Sequence, residues 1–577
     1  MPPKTGNIEI VLENRGALTL RPTDHVATGG EGSIYRASNT IIKLYTDPRK
    51  MSHDGMAEKI KLLSAIKHHF IVSPTGLVAN KSGTPVGYYM PFAEGEPMPK
   101  VFTNDFRKRE NFTDQNATTL VDNMRLAIEF AHANHAILVD ANEMNWLVSL
   151  AKKDKPEPRV IDVDSWQIGR FPAKVIMLSI KDWLNPTFSQ LTDWFSWGIV
   201  TFQVYCGIHP YKGMLPGYKP NELEARMKAK ASVFSPGIQL NKAVRDFSII
   251  PGPLFDWYVA TFQNGERTKP PSPFDTGQTQ AKMAKVLHAI TTATGMLIFA
   301  KLLKQTKDPV IRMFPCGVIL QNSGKLFDLG KQRQISSAKT KNCEIIKVEN
   351  GWLKAEIINK QLEFSFINDT SLEEEALTLK LAGKQIFRAS NRLFVITENG
   401  LTEVVLKYLG KPLLALGNTW NVLVNSTKWF DGLGIQDTMG VAYLIAPFND
   451  AACTEIRVPE LDGLKPIAAK AGSRFIVVIG LDKKGDYHKV ELTLDREYNT
   501  YKVWQEIVDS PDLNLTILPK GVCATIVKDN ELNIFVPTTG TLNTVKDKNI
   551  STDMLLSNWE NKVVYLQNGE VWSVRMK

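Results

Sequence analysis

Over roughly the first 285 residues the apolar positions follow two spacings in turn. Residues 18–44 read as strands joined by a glycine turn and a tight turn, ending in Thr40-Ile41-Ile42-Lys43-Leu44. Residues 56–63 and 120–133 carry apolar side chains at helical spacing, the second through Leu120, Val121, Met124, Leu126, Ala127 and Phe130. Residues 193–205 and 255–262 read as helices too. Two short apolar runs, Leu147-Val148 and Val160-Ile161, flank the polar, Pro-rich insert 151–158, which reads as a hairpin tip. Residues 278–294 look helical and close this part of the chain, with Pro270, Pro271 and Pro273 on the approach.

Beyond about residue 295 the pattern changes to short apolar strands separated by turns. Val310-Ile311-Arg312-Met313-Phe314, Arg392-Leu393-Phe394-Val395-Ile396 and Lys562-Val563-Val564-Tyr565-Leu566 are examples, and turn signals such as Asn322-Ser323-Gly324 and Gln567-Asn568-Gly569 recur between paired strands. About 280 residues of this, at ~40 per four-stranded blade, predict a β-propeller of six or seven blades. A pair of β-sandwiches is the alternative. The acidic run Glu373-Glu374-Glu375 reads as a solvated loop.

At 577 residues the chain is too long for one core. Its 69 basic against 60 acidic residues give a net charge of +9, an excess that suits a mixed solvated surface and does not indicate nucleic acid. The cysteines Cys206, Cys316, Cys343, Cys453 and Cys523 never form a C-x-x-C pair, so neither a zinc ribbon nor a disulfide framework is expected. No run approaches the ~18 apolar residues of a membrane span, and Met1-Pro2-Pro3-Lys4 lacks a signal-peptide core. A soluble, cytoplasmic protein is the expectation.

Candidate chemistry centres on Leu138-Val139-Asp140-Ala141-Asn142-Glu143-Met144-Asn145-Trp146 and on Ile161-Asp162-Val163-Asp164-Ser165. Two strands carrying Asp140/Asn145 and Asp162 would bring one base-like carboxylate and two oxygen ligands together. Mg²⁺ takes such hard oxygen ligands and keeps several waters. The turn Ala27-Thr28-Gly29-Gly30-Glu31-Gly32-Ser33-Ile34 offers glycines that let backbone approach a phosphate.

These residues in this order resemble the eukaryotic-like Ser/Thr protein kinase family. Gly29, Gly32 and Ile34 match its glycine-rich loop, with Gly30 between them and Ala27 where the first glycine stands. Asp140-x-x-x-x-Asn145 matches its catalytic loop, and Asp162-Val163-Asp164-Ser165 stands in place of D-F-G, as in a divergent bacterial and phage-type branch. Asp193-Trp194-Phe195-Ser196-Trp197-Gly198 and Arg267 resemble later family segments. Leu138-Val139 replaces the family's H-R, and Thr187 replaces the glutamate of A-P-E, which leaves the usual partner of Arg267 missing.

The resemblance implies a bilobal α+β kinase-like fold, with an N-lobe over residues 1–95 and a C-lobe over 96–290, followed by the all-β region over 295–577. It implies ATP and Mg²⁺ (or Mn²⁺) as cofactors. Lys43 and the Gly29–Gly32 backbone would hold the phosphates, and Glu58 would pair with Lys43. Met90 and Phe92 would lie at the adenine hinge, Asn145, Asp162 and Asp164 would bind metal, and Asp140 would take or orient the acceptor's proton. Asp193 would hydrogen-bond the catalytic-loop backbone. The implied partner is a protein bearing Ser or Thr, with the propeller as a docking module and no membrane. Ser165, Ser179 and Thr187 are candidate self-modification positions. The rival readings are a pseudokinase scaffold and transfer of AMP. His209, before a proline, reads as structural.

Overall fold

A computed structural model describes residues 6–276 and 297–577, apart from Pro48, His53, Lys153, Lys174, 304–306, Lys360, Lys384, 449–450, Ser473, 519–520, Val527, 537–538 and Gly540. The helix expected over 278–294 lies outside the described residues. Described residues divide into an N-terminal α/β region and a C-terminal all-β region.

The N-terminal region opens with β1 (Ile8–Leu12), β2 (Gly16–Leu20), β3 (His25–Thr28), β4 (Gly32–Ala37) and β5 (Thr40–Tyr45). Helices α1 (Arg49–Ser52) and α2 (Met56–Ser64) follow, then β6 (Gly76–Ala79) and β7 (Pro85–Pro91). The seven strands form one sheet in the order β2-β1-β6-β7-β5-β4-β3. Its two faces follow from strand alternation. On β5, Ile42 and Leu44 pack on one side with Ile10, Tyr35 and Tyr89, while Ile41 and Tyr45 join α2 and the helical core on the other.

Helices α3 (Met98–Phe102), α4 (Asn104–Glu110), α5 (Asp114–Ala133), α6 (Gln190–Cys206), α7 (Leu223–Ala229) and α8 (Gly252–Val259) build the rest of the region. Thr113 caps α5 and Ser189 caps α6, each accepting from the backbone amide three residues on. Every residue of α6 from Thr192 to Cys206 is buried, which makes it the axis of the core.

Among the described residues, the C-terminal region is seven antiparallel sheets of four strands. Six are consecutive meanders. The other joins Leu297–Lys301 to Glu570–Met576, Lys562–Gln567 and Leu555–Trp559, so it draws its strands from both ends of the region. The acidic run is solvated as expected but only its first residue, Glu373, is loop. Glu374–Leu377 is an exposed edge strand, and Glu374 pairs with the buried Lys354 at 2.7 Å.

The two regions pack together. Ile467, Ile479, Leu481 and Tyr487 of the all-β region belong to the same apolar cluster as α5 and α6. His25 on β3 bonds Ser426 at 2.9 Å, Lys242 N donates to Asp529 at 2.8 Å, and Asn104 N donates to Asp512 at 3.2 Å.

Candidate functional site

Strand alternation puts Lys43 on the same face of β5 as Tyr45, and antiparallel register sets Tyr88 of β7 directly beside it. The lysine side chain is buried, and its Nζ reaches Asp164 Oδ2 at 2.7 Å, Asp164 Oδ1 at 2.9 Å and Asp162 Oδ1 at 2.9 Å. Tyr45 donates its hydroxyl to Asp164 Oδ2 at 2.6 Å and Tyr88 donates to Oδ1 at 2.7 Å. Each Asp164 oxygen therefore accepts two hydrogen bonds, which uses the capacity of a carboxylate. Burial alone would depress the Lys43 ammonium, but Asp164 and then Asp162 outweigh it and raise its pKa. Burial alone would raise the Asp164 carboxyl, yet Lys43 and the two hydroxyls hold it well below the usual carboxylate range. Burial, and then the Asp164 charge, push both tyrosines up, so they remain donors.

Two expectations change here. Glu58 does not pair with Lys43; it lies on the exposed side of α2 and meets Arg170. The next residue, Lys59, faces inward and donates to the Asp164 carbonyl at 2.6 Å. One residue is a rotation of about 100° on a helix, enough to exchange the two side chains between solvent and core. Asp164 is not free to bind metal, because its side chain has no exposed surface and its oxygens are already occupied. It is the counter-ion expected of Glu58.

Trp146–Ser149 and Glu157–Val160 pair with Trp146 opposite Val160, and Ile161 N donates to Asn145 O at 2.9 Å. That register sets Asn145 beside Ile161, one residue from Asp162. Asn145 donates Nδ2 to the Asp140 carbonyl at 2.7 Å, leaving Oδ1 without a donor among the described residues. Asp162 takes a left-handed backbone, φ 59°, and keeps its side chain 42% exposed beside Lys43. Asp140 Oδ1 accepts from Met177 N at 2.8 Å, and burial raises its carboxyl against the hydrogen bonds from Asn142 and Met177. A chain of contacts thus links the four residues: Lys43 bonds Asp162, Asn145 lies beside Ile161 next to Asp162, and Asn145 bonds the Asp140 backbone.

The loop bearing Asp140 is held from beneath by α6. Asp193 Oδ2 accepts from Leu138 N at 2.7 Å and His132 Nε2 at 2.9 Å, while Oδ1 accepts from Val139 N at 2.8 Å. Val139 has φ 61°, a conformation costly for a β-branched residue, and the buried carboxylate offsets it. The expected role of Asp193 in holding this backbone is what the structure contains. Arg267 finds a partner that the reading of the sequence missed. Asp182 takes it in a two-pronged, buried pair at 2.7 and 2.8 Å, while Thr187 is exposed. His209 is structural: it accepts from Tyr211 N on Nδ1, donates Nε2–H to the Ser179 carbonyl, and burial pushes its pKa down to about 3.

At the glycine turn, Gly29 N donates to Gly32 O at 2.9 Å and Glu31 pairs with Lys50 at 2.9 Å. Gly29 and Gly30 face open space, whereas a Cβ on Gly32 would overlap the Leu44 carbonyl, so only glycine lets β4 lie against β5 there. Ile34 pairs with Lys43 across the strands and packs on the core. Met90 is buried on the same face as Tyr88. Phe92 lies under the Arg36 guanidinium, 3.5 Å from its ring centre, and its amide is taken by Asn39 O, so that amide is not open to a base. Of the candidate modification positions, Ser179 is buried, Ser165 donates to the Asp162 carbonyl, and Thr187 is exposed.

Among the described residues no group of three or more His, Cys, Asp or Glu is arranged to hold a metal ion, and no helix is long and apolar enough to cross a membrane. No protein-family model matches the chain, and no curated protein matches it.

Proposed function

We propose that the chain is an ATP-dependent Ser/Thr protein kinase whose C-terminal region is a seven-bladed propeller for substrate or partner docking. The observation that carries this is the chain of contacts from Lys43 through Asp162 and Asn145 to the Asp140 backbone, made across separate elements, with Asp193 bracing the loop that bears Asp140. Phosphoryl transfer asks for positioning and charge neutralisation more than for covalent chemistry, and these groups supply both. In this reading β3 to β7 with α2 form the N-lobe, the helices from α3 to α8 form the C-lobe, and the turn at Gly29–Gly30 covers the nucleotide. The sheet made from both ends of the C-terminal region is the blade that closes the ring. Five free cysteines suit a cytoplasmic location.

Asn145 Oδ1 and Asp162 Oδ2 fit a divalent cation, because both are hard oxygens at adjoining strand ends and neither accepts a hydrogen bond among the described residues. Mg²⁺ held there with substrate phosphates would supply charge neutralisation. Lys43, fixed by Asp164, reaches the phosphates as a point charge. Asp140 orients the acceptor hydroxyl and takes its proton.

Incubation with γ-labelled ATP, Mg²⁺ or Mn²⁺ and a generic acceptor protein tests this. Label should pass to Ser or Thr and vanish in Asp140→Asn, which still binds nucleotide. Nucleotide binding with no transfer by the wild type would make the chain a scaffold instead, and label passing only in a parallel incubation with α-labelled ATP would make it an AMP transferase.

A further inference from the structure

The strands Phe475–Leu481 and Tyr487–Leu494 form a hairpin whose turn, residues 482–486, lies against Ser179 of the N-terminal region. The turn is rigid. Asp482 accepts from Lys484 N at 2.8 Å and Asp486 N at 3.0 Å, and its other oxygen bonds His488 at 3.0 Å. Gly485, φ 88°, lies so close to Ser179 that a Cβ would overlap the Ser179 hydroxyl, with Met177 Sδ next nearest. Met177 is the residue whose amide occupies Asp140 Oδ1. Hairpin, Met177 and Asp140 are thus stacked in that order.

The contact is built unevenly. Ile479, Leu481 and Tyr487 anchor it in the core of the helical region. Its polar groups are poorly matched: Glu143 Oε2, Ser179 Oγ, Lys212 Nζ, Asp486 Oδ1 and the Tyr487 hydroxyl are all buried without a hydrogen bond among the described residues. Lys212 Nζ stops 3.7 Å from Asp486 Oδ1 and lies 5.3 Å from the Tyr487 ring centre. Buried polar groups are paired in the great majority of native structures, and each orphan carries a desolvation cost that rehydration returns. Three such groups and one long ion pair at a single contact leave its polar match incomplete.

We propose that Glu143, Lys212 and the segment Met177–Ser179 form the docking surface for the acceptor polypeptide, and that the hairpin at 482–487 is its resident occupant, holding the site closed. This rests on the kinase reading. Met177 N occupies Asp140 Oδ1, so an acceptor hydroxyl that takes this oxygen displaces the segment on which Gly485 rests. A partner that draws the hairpin away would open that surface and free Asp140 Oδ1 together.

The test is a pair of substitutions in the full chain. Gly485→Asn keeps the left-handed turn, which asparagine tolerates, and wedges a side chain against Ser179. Tyr487→Phe removes an orphan hydroxyl and tightens the contact. Hydrogen exchange of the Met177–Ile180 amides, measured without nucleotide, reads the contact independently of catalysis. Gly485→Asn should speed that exchange and raise transfer to a generic acceptor by about fivefold or more, since the competent fraction grows; Tyr487→Phe should slow both. Faster exchange with transfer unchanged or lowered would overturn the assignment of this surface. Unchanged exchange in Gly485→Asn would show the hairpin to be a permanent fixture and overturn it as well. Faster exchange with neither nucleotide binding nor transfer in any form would remove the kinase reading, and the acceptor surface with it.

Discussion

Replacing Asp164 by Asn tests the centre of the site most directly. The substitution keeps volume and shape and removes one charge. The carboxylate has no exposed surface and accepts from Lys43, Tyr45 and Tyr88 at 2.6–2.9 Å. Breaking a buried ion pair from one side costs about 3–5 kcal/mol, because the surviving charge stays buried. Lys43 retains Asp162, but that carboxylate is 42% exposed, and exposed pairs return only about 0–1 kcal/mol. The asparagine NH₂ must also face a hydroxyl that formerly donated, at about 1 kcal/mol if the hydroxyl cannot turn. The least these contributions allow is a local loss of about 3 kcal/mol, roughly a hundredfold in the opening equilibrium. A chain with two regions does not unfold in one step, so the measure is native-state hydrogen exchange at the β5 and 162–166 amides. Protection there should fall about a hundredfold while amides of the all-β region stay unchanged. A fall of less than about threefold would refute the reasoning, and would mean that Asp162 alone satisfies the lysine.

Three further outcomes are expected. Glu58→Ala should change stability by no more than about 1 kcal/mol and leave nucleotide binding untouched, since its pair with Arg170 is exposed; a large loss of ATP affinity by titration would return the counter-ion role to α2. Asp182→Asn should cost about 3–5 kcal/mol in urea unfolding of the N-terminal region, because it strands the buried Arg267. His209 is held neutral when folded, its pKa lowered from 6.5 to about 3, so its contribution is complete above pH 6.5 and is lost as pH falls toward 3. Stability should fall by about 1.4 kcal/mol per pH unit across that window from this group, and His209→Gln, whose amide can still reach the Ser179 carbonyl, should remove that slope.

What could be read from the sequence follows the range of the interactions. Strands at 310–313, 392–397 and 562–567 were legible because short apolar runs and the turn residues between them are local signals. Asp193 was legible through the resemblance of Asp193-Trp194-Phe195-Ser196-Trp197-Gly198 to a family segment, and it holds the amides of Leu138 and Val139. Glu58 was misplaced because helical spacing alone does not say which of two adjacent charged residues faces inward. The full occupation of Asp164 depends on Tyr45 and Tyr88, and here a signal was available. Ile41, Lys43 and Tyr45 alternate with Ile42 and Leu44, which sets the tyrosine on the lysine's face. Asp182 and the hairpin at 482–487 depend on contacts across 85 and some 300 residues, and no local pattern announces them.

The sheet that joins Leu297–Lys301 to Glu570–Met576 has a consequence for biosynthesis. The first strand emerges about 270 residues before its neighbour exists, and at 5–20 residues per second that interval is roughly 13–55 s. Throughout it, one edge of the nascent region lacks its hydrogen-bonding partner, and an unpaired edge recruits other chains. The interval between the two strands thus makes the pace of synthesis a factor in the recovery of the folded chain, beside its equilibrium stability.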